Sequence, residues 1–153
     1  MLSSATGLVL FDNKGKVIWE YPRLGSVLFE KADLTGDETQ DYLVRTRDYA
    51  DTDDILDRGF SRMFYVIDGS TGKIAWSYMM DYNEFIKSGG LRYVRAIPDI
   101  NRDGKKDIMC YIQYPYDWNF GDMYGNFTRI LIFSGKDGKI LRNQSIIKEN
   151  YCG

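Results

Sequence analysis

A nine-residue pattern of oxygen-bearing side chains occurs twice in this chain, and its recurrence narrows the possible folds more than any other feature. Asp33-Leu-Thr35-Gly-Asp37-Glu-Thr39-Gln-Asp41 is matched 66 positions later by Asp99-Ile-Asn101-Arg-Asp103-Gly104-Lys105-Lys-Asp107. Oxygens at loop positions 1, 3, 5 and 9, with a backbone carbonyl at 7, suit a hard cation such as Ca²⁺. The candidate ligands are Asp33, Thr35, Asp37, the Thr39 carbonyl and Asp41, and then Asp99, Asn101, Asp103, the Lys105 carbonyl and Asp107. A solvated acidic turn is the competing reading. In the second loop Gly104, at the sixth position, favours the cation. In the first, Thr35 is a weaker donor and Glu38 would need a left-handed backbone, so the two readings are nearly balanced. An EF-hand is excluded, because no helix pattern flanks either loop and position 12 of the second is Cys110.

The repeat extends beyond the loops. Leu8-Val-Leu-Phe-Asp12-Asn-Lys-Gly15-Lys16-Val-Ile-Trp19 reads as strand, tight turn, strand. Phe64–Trp76 and Ile130–Arg142 repeat it, with Gly72 and Gly138 again 66 apart. Apolar runs around a polar, Gly-bearing turn are the mark of a β-hairpin. Strands also bracket each acidic loop: Val27–Ala32 and Tyr42–Thr46 around the first, Tyr93–Ile97 and Ile108–Ile112 around the second. One period is thus four antiparallel strands: acidic turn, long connection, Gly-Lys hairpin. The expected fold is all-β, with four-stranded β-propeller blades at 27–78 and 93–144 and a half blade at 7–21, one segment spanning 1–153. A short helix is expected only around Asp81–Lys87.

These residues carry a resemblance. The acidic loops resemble the FG-GAP repeat of integrin-α-type propellers, D-x-N-x-D-G-x-x-D followed by an apolar strand. The second loop matches it; the first departs at Thr35 and Glu38. The hairpin Asp68-Gly-Ser-Thr-Gly72-Lys73-Ile-Ala-Trp76 resembles the T-G-K-x-x-W element of quinoprotein-like propeller repeats, although the third copy has Arg142 in place of Trp. The likeness covers roughly 7–144. It implies an incomplete propeller of about two and a half blades, Ca²⁺ as cofactor, and further blades among its partners.

Composition limits the chemistry. With 20 basic and 22 acidic residues there is no basic stripe, and nucleic acid is not an expected partner. The chain has no His, which removes the commonest general base and any His-based nucleophilic triad. Cys110 and Cys152 lack metal-like spacing, and Cys110 reads as a buried thiol rather than half of a disulfide. No run is long enough for a membrane span, and no secretory signal is visible ahead of the first strand. The sequons Asn126-Phe-Thr128 and Asn143-Gln-Ser145 point weakly to an extracellular or cell-surface setting.

Strand parity puts the acidic loops and hairpins on one rim and the long loops 48–61, 79–92 and 114–128 on the other. Loops on a rigid scaffold are where recognition resides. The run from Tyr114 to Phe127 interleaves rings with Asp and Asn, and Tyr116, Asp117 and Trp118 are the expected contacts to a protein or glycan. Rings that cap neighbouring blades are an equal alternative there. The acidic run Asp48, Asp51, Asp53, Asp54 and Asp57 reads as a solvated loop. Trp19 and Trp76 read as inter-blade packing rather than a cofactor stack. The leading function is a Ca²⁺-stabilised binding or scaffold module. The alternative is part of a propeller enzyme, such as a Ca²⁺-dependent lyase of the rhamnogalacturonan type. A quinoprotein dehydrogenase is weaker, since no quinone-site constellation is evident.

Overall fold

The structure, a computed structural model, describes residues 2–4, 7–21, 26–46, 62–88, 90–113 and 127–147. Its strands form three antiparallel sheets. The first holds β1 (Leu2–Ser4), β2 (Gly7–Phe11) and β3 (Val17–Tyr21); the second β4 (Ser26–Ala32), β5 (Asp41–Thr46), β6 (Met63–Ile67) and β7 (Ile74–Met79). The third holds β8 (Leu91–Ile97), β9 (Asp107–Gln113), β10 (Phe127–Phe133) and β11 (Ile140–Ile147). In each sheet the strands pair in sequence order, each with its neighbour along the chain. Where a bare hairpin was expected at 7–21, β1 pairs Leu2 with Val9 and Ser4 with Gly7 to add a third strand. A three-residue strand is too short to show a period-2 pattern, so no alternation marks it along the chain.

All three hairpins carry the same irregularity. The register slips at Leu10/Phe11, Val66/Ile67 and Ile132/Phe133, the equivalent position each time. Such a bulge bends the strand and strengthens its twist. The turns close alike: Gly72 N–H donates to the Asp68 carbonyl at 2.8 Å and Gly138 N–H to the Ser134 carbonyl at 2.9 Å. Asp68 Oδ1 also accepts from Ser70 N and Thr71 N, at 2.8 and 3.0 Å. The Ser70 hydroxyl, at 2.6 Å, is the main reason the Asp68 carboxyl titrates below its ordinary value.

The sheets pack face to face through two apolar layers. Leu8 and Trp19 of the first sheet meet Tyr42, Val44, Tyr65 and Ile67 of the second. The opposite face of the second sheet, with Leu43, Phe64 and Val66, meets Ile108, Cys110, Leu131 and Phe133 of the third. Buried on both faces, β6 has to be apolar at successive positions, and Phe64, Tyr65, Val66 and Ile67 are all fully buried. Between the second and third sheets runs α1 (Tyr82–Ser88), close to the expected position. Asp81 Oδ1 caps it by accepting from Asn83 N and Glu84 N, and Phe85 enters the core. Glu84 pairs with Arg129 of β10. No helix among the described residues is long and apolar enough to cross a membrane.

A Trp joint repeats at both layers. Trp19 Nε1 donates to the Gly69 carbonyl of the next hairpin at 3.1 Å, and Trp76 Nε1 donates to the Gly135 carbonyl at 2.6 Å. Each indole lies against a hairpin glycine, Gly72 and Gly138, so closely that a Cβ there would overlap the ring. The glycines combine positive φ with this contact, which no other residue could supply. Arg142, at the third equivalent position, is exposed, whereas Trp76 is partly buried.

In equilibrium urea unfolding, Trp19→Phe should cost about 1 kcal/mol for the lost hydrogen bond. Trp19→Ala should cost about 3 kcal/mol or more, since the ring is nearly buried. Burial pushes the Cys110 thiol up to about 12. A folded-state value above the unfolded one means the folded chain holds its proton longer. This contribution is therefore intact below pH 9, and stability should fall as pH rises above it. At pH 8 an alkylating reagent should modify Cys110 only in the unfolded chain.

Candidate functional site

Both acidic loops adopt one backbone form. Left-handed residues occur at loop positions 4 and 6 in each: Gly36 and Glu38 in the first, Arg102 and Gly104 in the second. Glu38 thus takes the conformation that its place in the pattern demanded, with φ 66°, and Arg102 does so at 63°. Each loop gives one slot to glycine and one to a strained residue, in opposite order. The first-position carboxylate stabilises the turn. Asp33 accepts from Gly36 N at 2.6 Å and Glu38 N at 3.1 Å; Asp99 accepts from Arg102 N at 2.6 Å and Gly104 N at 2.7 Å.

The fifth-position carboxylates face outward. Asp37 accepts from Thr39 N at 2.8 Å and Asp103 from Lys105 N at 3.0 Å. Asp103 also accepts from Asn101 Nδ2 at 3.0 Å, the main reason its carboxyl titrates below the ordinary value. Positions 3 differ: Asn101 is exposed, while the Thr35 hydroxyl oxygen is shut away from solvent without a partner.

The ninth-position aspartates are both fully buried, and Asp41 ties the first loop to the hairpin of its own sheet. Asp41 Oδ2 accepts from Leu34 N and Thr35 N at 2.8 and 2.7 Å, and Oδ1 takes Gly69 N at 3.0 Å. Asp107 Oδ2 accepts from Ile100 N at 2.8 Å, but its Oδ1 has no hydrogen-bond partner. The hairpin glycines belong to this joint. A Cβ at Gly69 would strike the Gln40 carbonyl, and one at Gly135 the Lys106 carbonyl. Gly69 and Gly135 were missed in the sequence, although the repeated Asp-Gly and Ser-Gly turn openings were there to be compared. The close approach puts acidic loop and hairpin at one end of their sheet, as strand parity requires.

The donor chemistry of the second loop fits Ca²⁺. Its oxygens are hard, the candidate side chains Asn101 and Asp103 are exposed, and a buried carboxylate oxygen of Asp107 lacks a partner. Asp99, Asn101 and Asp103 are engaged with N–H groups of the loop, and among the described residues no three His, Cys, Asp or Glu side chains are placed to hold one ion. An entering ion would therefore compete with those hydrogen bonds. The first loop fits less well, because both oxygens of Asp33 and of Asp41 accept backbone N–H groups and Asp37 stands apart.

At the opposite end of the second sheet, Met80 N donates to the Arg62 carbonyl and Arg62 Nε to the Met80 carbonyl, both at 2.9 Å, joining the ends of two connections. Tyr116, Asp117 and Trp118, and the acidic run 48–57, lie outside the described residues.

Replacing Glu38 by Gly should raise stability by about 0.5–1 kcal/mol, left-handed strain relieved less the added chain entropy. Asp41→Ala, which orphans two buried N–H groups and a partly buried third, should cost at least about 2–3 kcal/mol, while exposed Asp37→Ala should stay within about 0.5. Urea unfolding midpoints test the order. Comparison with known families, curated proteins and solved structures finds no match to this chain.

Proposed function

We propose that the chain is a Ca²⁺-stabilised β-propeller segment acting as a binding or scaffold module. It offers the long loops of one rim to a protein or glycan and holds the other rim closed with its acidic loops. The observation that supports this best is the duplicated unit of loop and hairpin. The second and third sheets build the same turn, with the same pair of left-handed positions and a buried aspartate beneath it. A structure repeated at this detail, away from the long loops, suits a scaffold that holds variable loops in place. The Trp joint supports successive blades in the same way.

Ca²⁺ in the second loop would be held by Asp99, Asn101, Asp103, the Lys105 carbonyl and Asp107, and would supply positive charge that fastens the turn. The chain's residues do the remainder. Asp99 curls the loop, Asp107 fixes its base through Ile100 N, and Gly135 lets the hairpin close against it. The setting proposed for such a module is extracellular or at a cell surface.

Added Ca²⁺ should raise the thermal unfolding midpoint. At a free concentration a hundred times the dissociation constant the gain is about 2.7 kcal/mol. Asp103→Ala should abolish the gain, and a rise of equal size in that variant would reject the assigned ion site. For the recognition face, glycan-array and pull-down signals should disappear in Trp118→Ala and Tyr116→Ala. Binding that survives both, yet is lost on changing the Gly-Lys hairpins, would move recognition to the other rim.

A further inference from the structure

We infer that the first acidic loop is closed by an ammonium group in place of a metal ion, the Nζ of Lys105 reaching in from the second loop. Lys105 occupies the seventh position of the second loop, and its side chain crosses to the second sheet, where Nζ donates to the carbonyl oxygen of Thr35. Thr35 is the third position of the first loop, so the positive charge is held against the backbone of the turn that the metal reading would fill. Lys105 is half-buried while its neighbours Gly104 and Lys106 are exposed, as expected for a side chain laid across a contact rather than into solvent.

The composition of the first loop accords with this guest. Both loops have a left-handed fourth residue, but the second tolerates Arg102 there while the first has Gly36. A Cβ at Gly36 would collide with the end of the Lys105 side chain, so glycine leaves room for the lysine as well as permitting the turn. At Gly104, the glycine of the second loop, a Cβ would meet nothing. Four acidic residues, Asp33, Asp37, Glu38 and Asp41, lie along this stretch of chain, and their summed field favours a cation at its backbone. A divalent ion in the same turn would be repelled by the ammonium, and most of its expected oxygens already accept backbone N–H groups. Lys105 thereby joins the two loops, adding a third tie between the second and third sheets to the Trp76 bond and the Glu30 Oε2 contact with Ala96 N at 2.6 Å.

Two measurements on the full chain test this independently of whether the second loop binds Ca²⁺. In Ca²⁺ titration calorimetry, Asp37→Ala should leave the number of bound equivalents unchanged from wild type, whether that number is one or none. Two equivalents in wild type with one lost in Asp37→Ala would overturn the inference. Under mild acetylation read by mass spectrometry, Lys105 in the wild-type chain should react roughly three- to tenfold more slowly than Lys106, the protection that one net hydrogen bond confers. Equal rates would also overturn it. A second loop that proves metal-free, with Asp103→Ala and wild type alike in Ca²⁺, would reject the proposed ion site and leave the lysine joint standing.

Discussion

The spacing between sheets is set by an indole pressed onto a glycine. Trp19 and Trp76 each project from the last strand of one sheet, donate to a hairpin carbonyl of the next, and press against a left-handed glycine three residues further along. A hydrogen bond fixes direction and a large ring fills volume, so one side chain sets both distance and register between sheets. The aromatic layer follows from it. Phe64 meets Trp76 and Phe133 edge-on, with centroids at 5.6 and 5.4 Å, and Tyr78 reaches Phe133 at 4.8 Å. Were the indole shortened, the rings behind it would lose their common wall.

The acidic loops are a second layer of constraint built on the first. Their carboxylates at positions 1 and 9 serve the backbone: one curls the turn, the other fixes its base, and in the first loop Asp41 also fastens it to the hairpin that receives the indole. Buried Asp41 is tolerable because each of its oxygens accepts from the main chain, and a charged acceptor gains more from such bonds than a neutral one. The two loops share this frame and diverge in what their remaining oxygens face. The first is crossed by a lysine; the second keeps an unpartnered carboxylate oxygen below an exposed Asn101–Asp103 pair. That divergence separates a structural joint from a candidate ion site within a single repeat.

Several features were legible in the chain because they depend on local pattern. Alternating apolar positions, turn glycines and the 66-residue recurrence gave the antiparallel strands, the two four-stranded sheets and the short helix near residue 82. The misfit of Glu38 was also visible, since only a left-handed residue could complete that turn. Arg102 was not, because its slot in the other loop is held by Gly36 and nothing in a lone sequence says which positions share a conformation. Strand β1 was too short to register, and Tyr116 to Trp118 remain a sequence expectation.

The sequence by itself determined the sheets, their strand order and the place of the acidic turns, because hydrogen-bond ladders and turns are decided by residues close along the chain. Only the tertiary structure decided what those turns touch. Gly69 and Gly135 matter through carbonyls of a different turn, Trp76 through a hairpin 59 residues away, and Lys105 through a loop 70 residues behind it. Contacts of that range depend on how two faces pack, and packing follows side-chain shape in three dimensions, which no spacing along one chain encodes.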